Sequence, residues 1–146
     1  NGLLAVRVAT DHDWRALECL RANGLDDGVC VSRTTPGSDR TKNLLEIAGT
    51  EVVVGDACRV TEEGETRDIS PTAKTAISIV RTFVGSRALA LVLEGATNLL
   101  RLTDWKERAL PTLYHYGCCV ESVEMTGSDA GAPTTKGRTF VVAVRE

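Results

Sequence analysis

Apolar residues in this chain fall into short runs separated by stripes at helical spacing, and that pattern predicts the elements in order. Residues 3–10 (LLAVRVAT) read as a strand. Asp13 or Asp11 can cap the next element, a helix over 14–22 whose stripe is Trp14, Leu17, Cys19, Leu20 and Arg21. Asn23-Gly24 supplies its stop, and Asp26-Asp27-Gly28 turns the chain into a short strand at 29–32. A polar loop at 34–42 carries Pro36 and Gly37, and one or two helical turns at 43–48 lead to the next strand.

Residues 51–58 (EVVVGDAC) are the stretch around which the rest is organised. Three consecutive valines predict a central parallel strand buried on both faces. Gly55 allows a sharp turn, so the strand's carboxyl end presents Asp56 and Cys58, where ligands of open α/β sheets bind. The plain alternative is a strand, a turn and a small buried thiol. Residues 59–70 then read as a polar loop with Glu62, Glu63, Glu65 and Asp68.

Ser70-Pro71 opens a helix whose stripe is Ala73, Ala76, Ile77, Val80, Phe83 and Val84, and Gly85 ends it. Residues 88–94 (ALALVLE) form a second apolar strand finishing on Glu94. Asp104 caps a helix from Trp105 in which Pro111 marks a kink or a break. Strands at 118–125 and 139–144 flank a Gly-, Thr- and Pro-rich loop at 126–137. Two strands joined by a loop instead of a helix predict an antiparallel pair. The expected fold is therefore a single α/β domain over 1–146: a Rossmann-like three-layer sandwich, mainly parallel, with an antiparallel pair at its C-terminal end.

Composition narrows the function classes. With 42% hydrophobic and 25% charged residues the chain is an ordinary globular protein, and at net charge -3 it has no basic cluster for holding nucleic acid unaided. Five cysteines (19, 30, 58, 118, 119) are an odd number without zinc spacing. They are expected to be mostly reduced, in a cytoplasmic protein. Adjacent Cys118 and Cys119 should point to opposite faces of their strand. The start is no signal peptide and no apolar run is long enough to span a membrane. His12 and His115 have no ligand spacing, so no metal is expected. Trp14 and Trp105, at helix starts, are expected to pack on the core or to anchor a partner.

The order of the segments resembles class I AdoMet-dependent methyltransferases, and the second half resembles the DNA cytosine-5 methyltransferase family. EVVVGDACR is similar to the family's strand and loop with a nucleophilic cysteine, which places Cys58 in that role. ALALVLEGATNLL is similar to the strand whose glutamate contacts the cytosine ring, the position of Glu94. YGCCVESVEMTGSDAGAPTTKGRTFVVAVRE is similar to the closing strand pair, with Gly131-Ala132-Pro133 at the turn and Arg138 at one of the family's arginine positions. VRVATDHDWRALECLRANG resembles the second strand and helix, where an acidic residue holds the AdoMet ribose, here Asp11. The resemblance thus implies Cys58, Glu94 and Arg138 as catalytic. Asp11 is the implied cofactor contact; Asp56, at its strand end, is the second candidate carboxylate.

The sequence also departs from that pattern. It contains no Gly-rich cofactor segment and no target-recognition region; Ala57 replaces a proline and Gly95-Ala96 replaces Asn-Val. Thr134-Thr135-Lys136-Gly137 stands where the family has a Gln/Arg cluster. Asp56 beside Cys58 would raise the thiol pKa, against nucleophilic use. The reading is a degenerate or partial methyltransferase-like domain, inactive alone, acting with a partner chain or by self-association that covers the sheet. S-adenosylmethionine is its implied cofactor, and DNA a partner only with an added recognition domain. A non-catalytic α/β module that oligomerises or binds a ligand or protein is the alternative, and an active AdoMet enzyme on a small substrate comes third.

Overall fold

The computed structural model describes residues 8–11, 14–23, 30–33, 39, 41, 43, 45, 49–57 and 71–146. The predicted site Cys58, the expected helix cap Ser70 and the acidic stretch 59–70 lie outside the described residues, as do residues 3–7 of the first expected strand.

Strand β1 (Val8–Asp11), helix α1 (Trp14–Ala22) and strand β2 (Cys30–Arg33) form the first unit, with β1 and β2 paired in parallel. Asn23 ends α1 by donating both its backbone and side-chain N–H groups to Cys19 O. The expected stripe of α1 is only partly buried: Leu17 is, but Trp14, Cys19 and Arg21 are exposed. Trp14 lies at 5.8 Å from the Arg15 guanidinium instead of on the core. Asp39 and Thr41 are already helical, so helix begins inside the stretch expected to be loop.

Strands β3 (Val52–Asp56), β4 (Ala90–Ala96), β5 (Cys118–Thr126) and β6 (Gly137–Arg145) form a four-stranded mixed sheet in the order β3-β4-β6-β5. Helix α2 (Pro71–Val84) is the crossover that lets β3 and β4 run parallel, while β6 is antiparallel to both β4 and β5. The register sorts the side chains cleanly. Val53, Leu91, Leu93, Val141 and Ala143 project to one face, where Ala76, Val80 and Phe83 of α2, with Trp105 and Leu113, bury them.

The valine run corrects the expectation of a strand buried on both faces. Val54 is 76% exposed, and β3 is an edge of this sheet among the described residues. Val52 and Val54 share their face with Val142, Val144 and Val123, all exposed. A consecutive apolar run suits a doubly covered strand, but here only Val53 meets the helical layer.

Asp104 is not a cap: its own backbone is helical (φ -59°, ψ -33°) and its carboxylate pairs with Arg108 at 3.3 Å. The proline is accommodated by a change of pitch. A π-helical turn, Trp105–Ala109, in which Leu110 N–H reaches back to Trp105 O, precedes helix α3 (Leu110–His115), so Pro111 falls in a first turn that needs no donor from it. Cys118 is buried and Cys119 exposed, as strand alternation requires. Among the described residues no cluster could hold a metal ion, and no helix is long and apolar enough to cross a membrane.

Candidate functional site

Three strand ends converge on the open face. Asp56 closes β3, its register partner Glu94 lies near the end of β4, and Arg138 begins β6. Alternation puts all three on the same side of the sheet, because Asp56 pairs with Glu94 and Arg138 stands two residues before Phe140, the partner of Glu94. Arg138 Nε donates to Glu94 Oε1 at 2.9 Å, and Nη1 donates to the carbonyl of Gly137 at 3.0 Å. Both side chains are about one third exposed (34% for Arg138, 39% for Glu94), so the pair is reachable from solvent yet fixed in orientation.

Backbone contacts hold this corner. Ala57 is buried, and its N–H donates to Glu94 O at 2.8 Å, so the chain that leads into Cys58 is fastened beside Glu94. Thr139 is fully buried and its hydroxyl donates to Ala96 O at 3.0 Å, which ties the start of β6 to the end of β4. Gly95 leaves room for the turn Leu99–Arg101: a Cβ there would meet Leu99 Cδ2 at 2.5 Å. The Gly95 that breaks the family pattern in sequence therefore has a packing reason. A side chain at Gly137 would collide in the same way with Thr97.

A carboxylate steadied by a guanidinium can hydrogen-bond the edge of a heterocycle, and the remaining guanidinium donors can stabilise negative charge developing on it. The structure thus brings together Glu94, Arg138 and Asp56. It does not place Asp11 with them: Asp11 ends β1, in the two-stranded sheet, while Asp56 ends β3 in the other. Two carboxylate-bearing strand ends in separate sheets do not by themselves make a cradle for S-adenosylmethionine, and no chemical step is assigned through it. Thr139 and the Ala57 amide had no signal in the sequence, because their importance depends on contacts with Ala96 and Glu94, each on a strand far away in the chain.

Neither a protein-family profile nor a curated protein sequence matches this chain. Solved structures do. Dnmt2 methyltransferase from S. pombe is 12% identical with a TM-score of 0.68, over 97% of this chain and 42% of that one. A DNMT2 mutant from Spodoptera frugiperda is 13% identical with a TM-score of 0.69, over 94% of this chain and 42% of that one. A DNA modification methyltransferase encoded within an E. coli prophage, named as putative, is 14% identical with a TM-score of 0.73, over 96% of this chain and 40% of that one. The likeness read from the sequence motifs is therefore present in three dimensions: over nearly all of its length, and spanning 40–42% of theirs, the chain has the fold of these methyltransferases.

Proposed function

We propose that these residues are the partial, degenerate counterpart of a cytosine-5 methyltransferase domain, inactive alone and working jointly with further polypeptide. The observation that carries the reading is the attachment of two things to Glu94: the backbone leading into Cys58, and Arg138. In this reading Cys58 attacks the pyrimidine ring, Glu94 hydrogen-bonds its edge, and Arg138 stabilises the charge that develops. The added polypeptide supplies the cradle for S-adenosylmethionine, toward which Asp11 and Asp56 contribute carboxylates. It also supplies recognition of DNA.

The same polypeptide completes the sheet as a three-layer sandwich. Among the described residues β1 is an edge of a parallel pair and β3, paired in parallel with β4, is an edge of the mixed sheet; parallel strands are stable when both faces are covered. Inserting one strand between these edges and a layer over Val52, Val54, Val142 and Val144 would meet that requirement. The site of action in this reading is the cytoplasm.

The test is methyl transfer from labelled S-adenosylmethionine to cytosine-containing DNA, by the chain alone and by the chain co-expressed with the polypeptides encoded beside it. The complex should transfer methyl groups, and Cys58→Ser or Glu94→Gln should abolish transfer. Transfer that survives Cys58→Ser would sink the reading.

The exposed valines favour a second reading, a non-catalytic module that self-associates through this face. Sedimentation velocity of the wild type and of Val54→Lys decides it: a concentration-dependent oligomer lost in the variant supports self-association, and a monomer in both removes it.

A further inference from the structure

The β5–β6 hairpin and its closing loop form a groove of about 240 Å³ on the open face, which shares Arg138 with the Glu94–Arg138 pair and extends away from Glu94 along the hairpin. Met125 of β5 stands opposite Arg138 of β6, and Phe140 follows on the same face, so the floor is an apolar side chain, a ring and a guanidinium. Ala130, Thr134 and Lys136 line it from the loop.

The groove is preformed by hydrogen bonds. Gly127 N–H donates to Lys136 O at 3.2 Å, Ala132 N–H donates to Gly127 O at 2.8 Å, and Gly131 takes the left-handed conformation the turn requires (φ 78°). Thr126 donates both its backbone N–H (2.6 Å) and its hydroxyl (2.7 Å) to the Asp129 carboxylate, which turns that acid onto the loop itself. A Cβ on Gly127 would strike Thr134, so the loop is also tightly packed.

Charge and size select the occupant. Lys136 and Arg138 both border a predominantly apolar cleft, and the Lys136 ammonium has no ion pair among the described residues. The volume falls below the ~300–1,000 Å³ of pockets that hold drug-sized ligands, which suits a single ring with a charged substituent. We propose that this groove binds one nucleotide, its base against Met125 and Phe140 and its phosphate between Lys136 and Arg138. Resting on the function proposed above, that nucleotide is a neighbour of the target base in the same strand, since Arg138 belongs to both the groove and the Glu94 pair.

Titration of the isotope-labelled chain with cytidine monophosphate, followed by amide NMR shifts, tests this. Saturable shifts should cluster between Met125 and Phe140. Cytidine and inorganic phosphate should each bind about tenfold more weakly, and Lys136→Gln and Met125→Glu should each weaken the nucleotide about tenfold, with dispersed spectra showing both variants folded. No shifts at the groove, phosphate binding as tightly as the nucleotide, or folded variants binding unchanged would each overturn the proposal. The titration uses no methyl donor. Methyl transfer by the complex without nucleotide binding here would therefore refute the groove alone, and binding here without methyl transfer would refute only the catalytic reading.

Discussion

Arg138 Nε and Glu94 Oε1 meet at 2.9 Å across neighbouring antiparallel strands, although 44 positions separate them in the chain. Solvent reaches both side chains, and exposed pairs of this kind contribute only ~0.2–1 kcal/mol. A double-mutant cycle with Glu94→Gln and Arg138→Ala, measured by urea unfolding, should give a coupling in that range. Coupling above about 2 kcal/mol would make the pair a structural tie and remove its claim to be kept for chemistry.

Substitutions at Gly55 and Gly95 should cost more than either half of that pair. A Cβ at Gly55 would meet Ile79 Cγ2 at 2.6 Å, and one at Gly95 would meet the fully buried Leu99. Overpacking of this sort costs roughly 1–3 kcal/mol, so Gly55→Ala and Gly95→Ala should both lower the urea midpoint at unchanged slope. An unchanged midpoint for Gly95→Ala would mean that Leu99 yields freely, against its place in the core.

The end of α2 depends on a residue from the last strand. Arg145 Nη2 donates to the carbonyls of Phe83, Val84 and Ser86 at 2.8, 3.0 and 2.9 Å, and its guanidinium lies 5.0 Å from the Phe83 ring centroid. Those carbonyls sit at the negative end of the helix, where a cation is favoured. Arg145→Lys should destabilise less than Arg145→Ala, which should cost about 2–3 kcal/mol, because an ammonium keeps the charge and its donors but not the planar guanidinium over Phe83. Equal losses for both would show that geometry and not charge carries the contact.

Cys119 offers a pH-dependent readout. Its thiol donates to Glu146 Oε1 at 2.9 Å, and this hydrogen bond, followed by the charge of the same carboxylate, raises its pKa above the ordinary value. The fold favours the protonated thiol, so the contribution to stability is complete below the unfolded pKa and is lost as pH rises through the higher folded one. Because the thiolate is the reactive species, alkylation of Cys119 near pH ~8 should be faster in Glu146→Gln than in the wild type. Equal rates, read by peptide mass spectrometry, would contradict the assignment.

Local pattern made α2 and the strand pair legible. Pro71 and Gly85 bracket a stripe of apolar residues at helical spacing, and the hairpin of β5 and β6 follows from two strand runs joined by turn residues. Glu94 and Arg138 were readable as candidates through the resemblance, but their contact was not, since it depends on β6 lying between β4 and β5. The burial expected for Trp14 on the core and for the valines of β3 on both faces failed for one reason. Hydrophobicity says that a side chain would gain from burial, not that the described fold supplies a partner to bury it. Pro111 was ambiguous because a π-helical turn has no distinctive residue pattern.

Under the proposed function, this fold takes part in methyl transfer only when further polypeptide completes it. The most direct measurement is calorimetric titration with S-adenosylhomocysteine, for the chain alone and for the chain co-expressed with a neighbouring-gene polypeptide that carries a Gly-rich strand turn. The account predicts no saturable heat for the chain alone, micromolar binding for the complex, and loss of that binding in Asp11→Ala. Micromolar binding by the chain alone, or none by the complex, would contradict it.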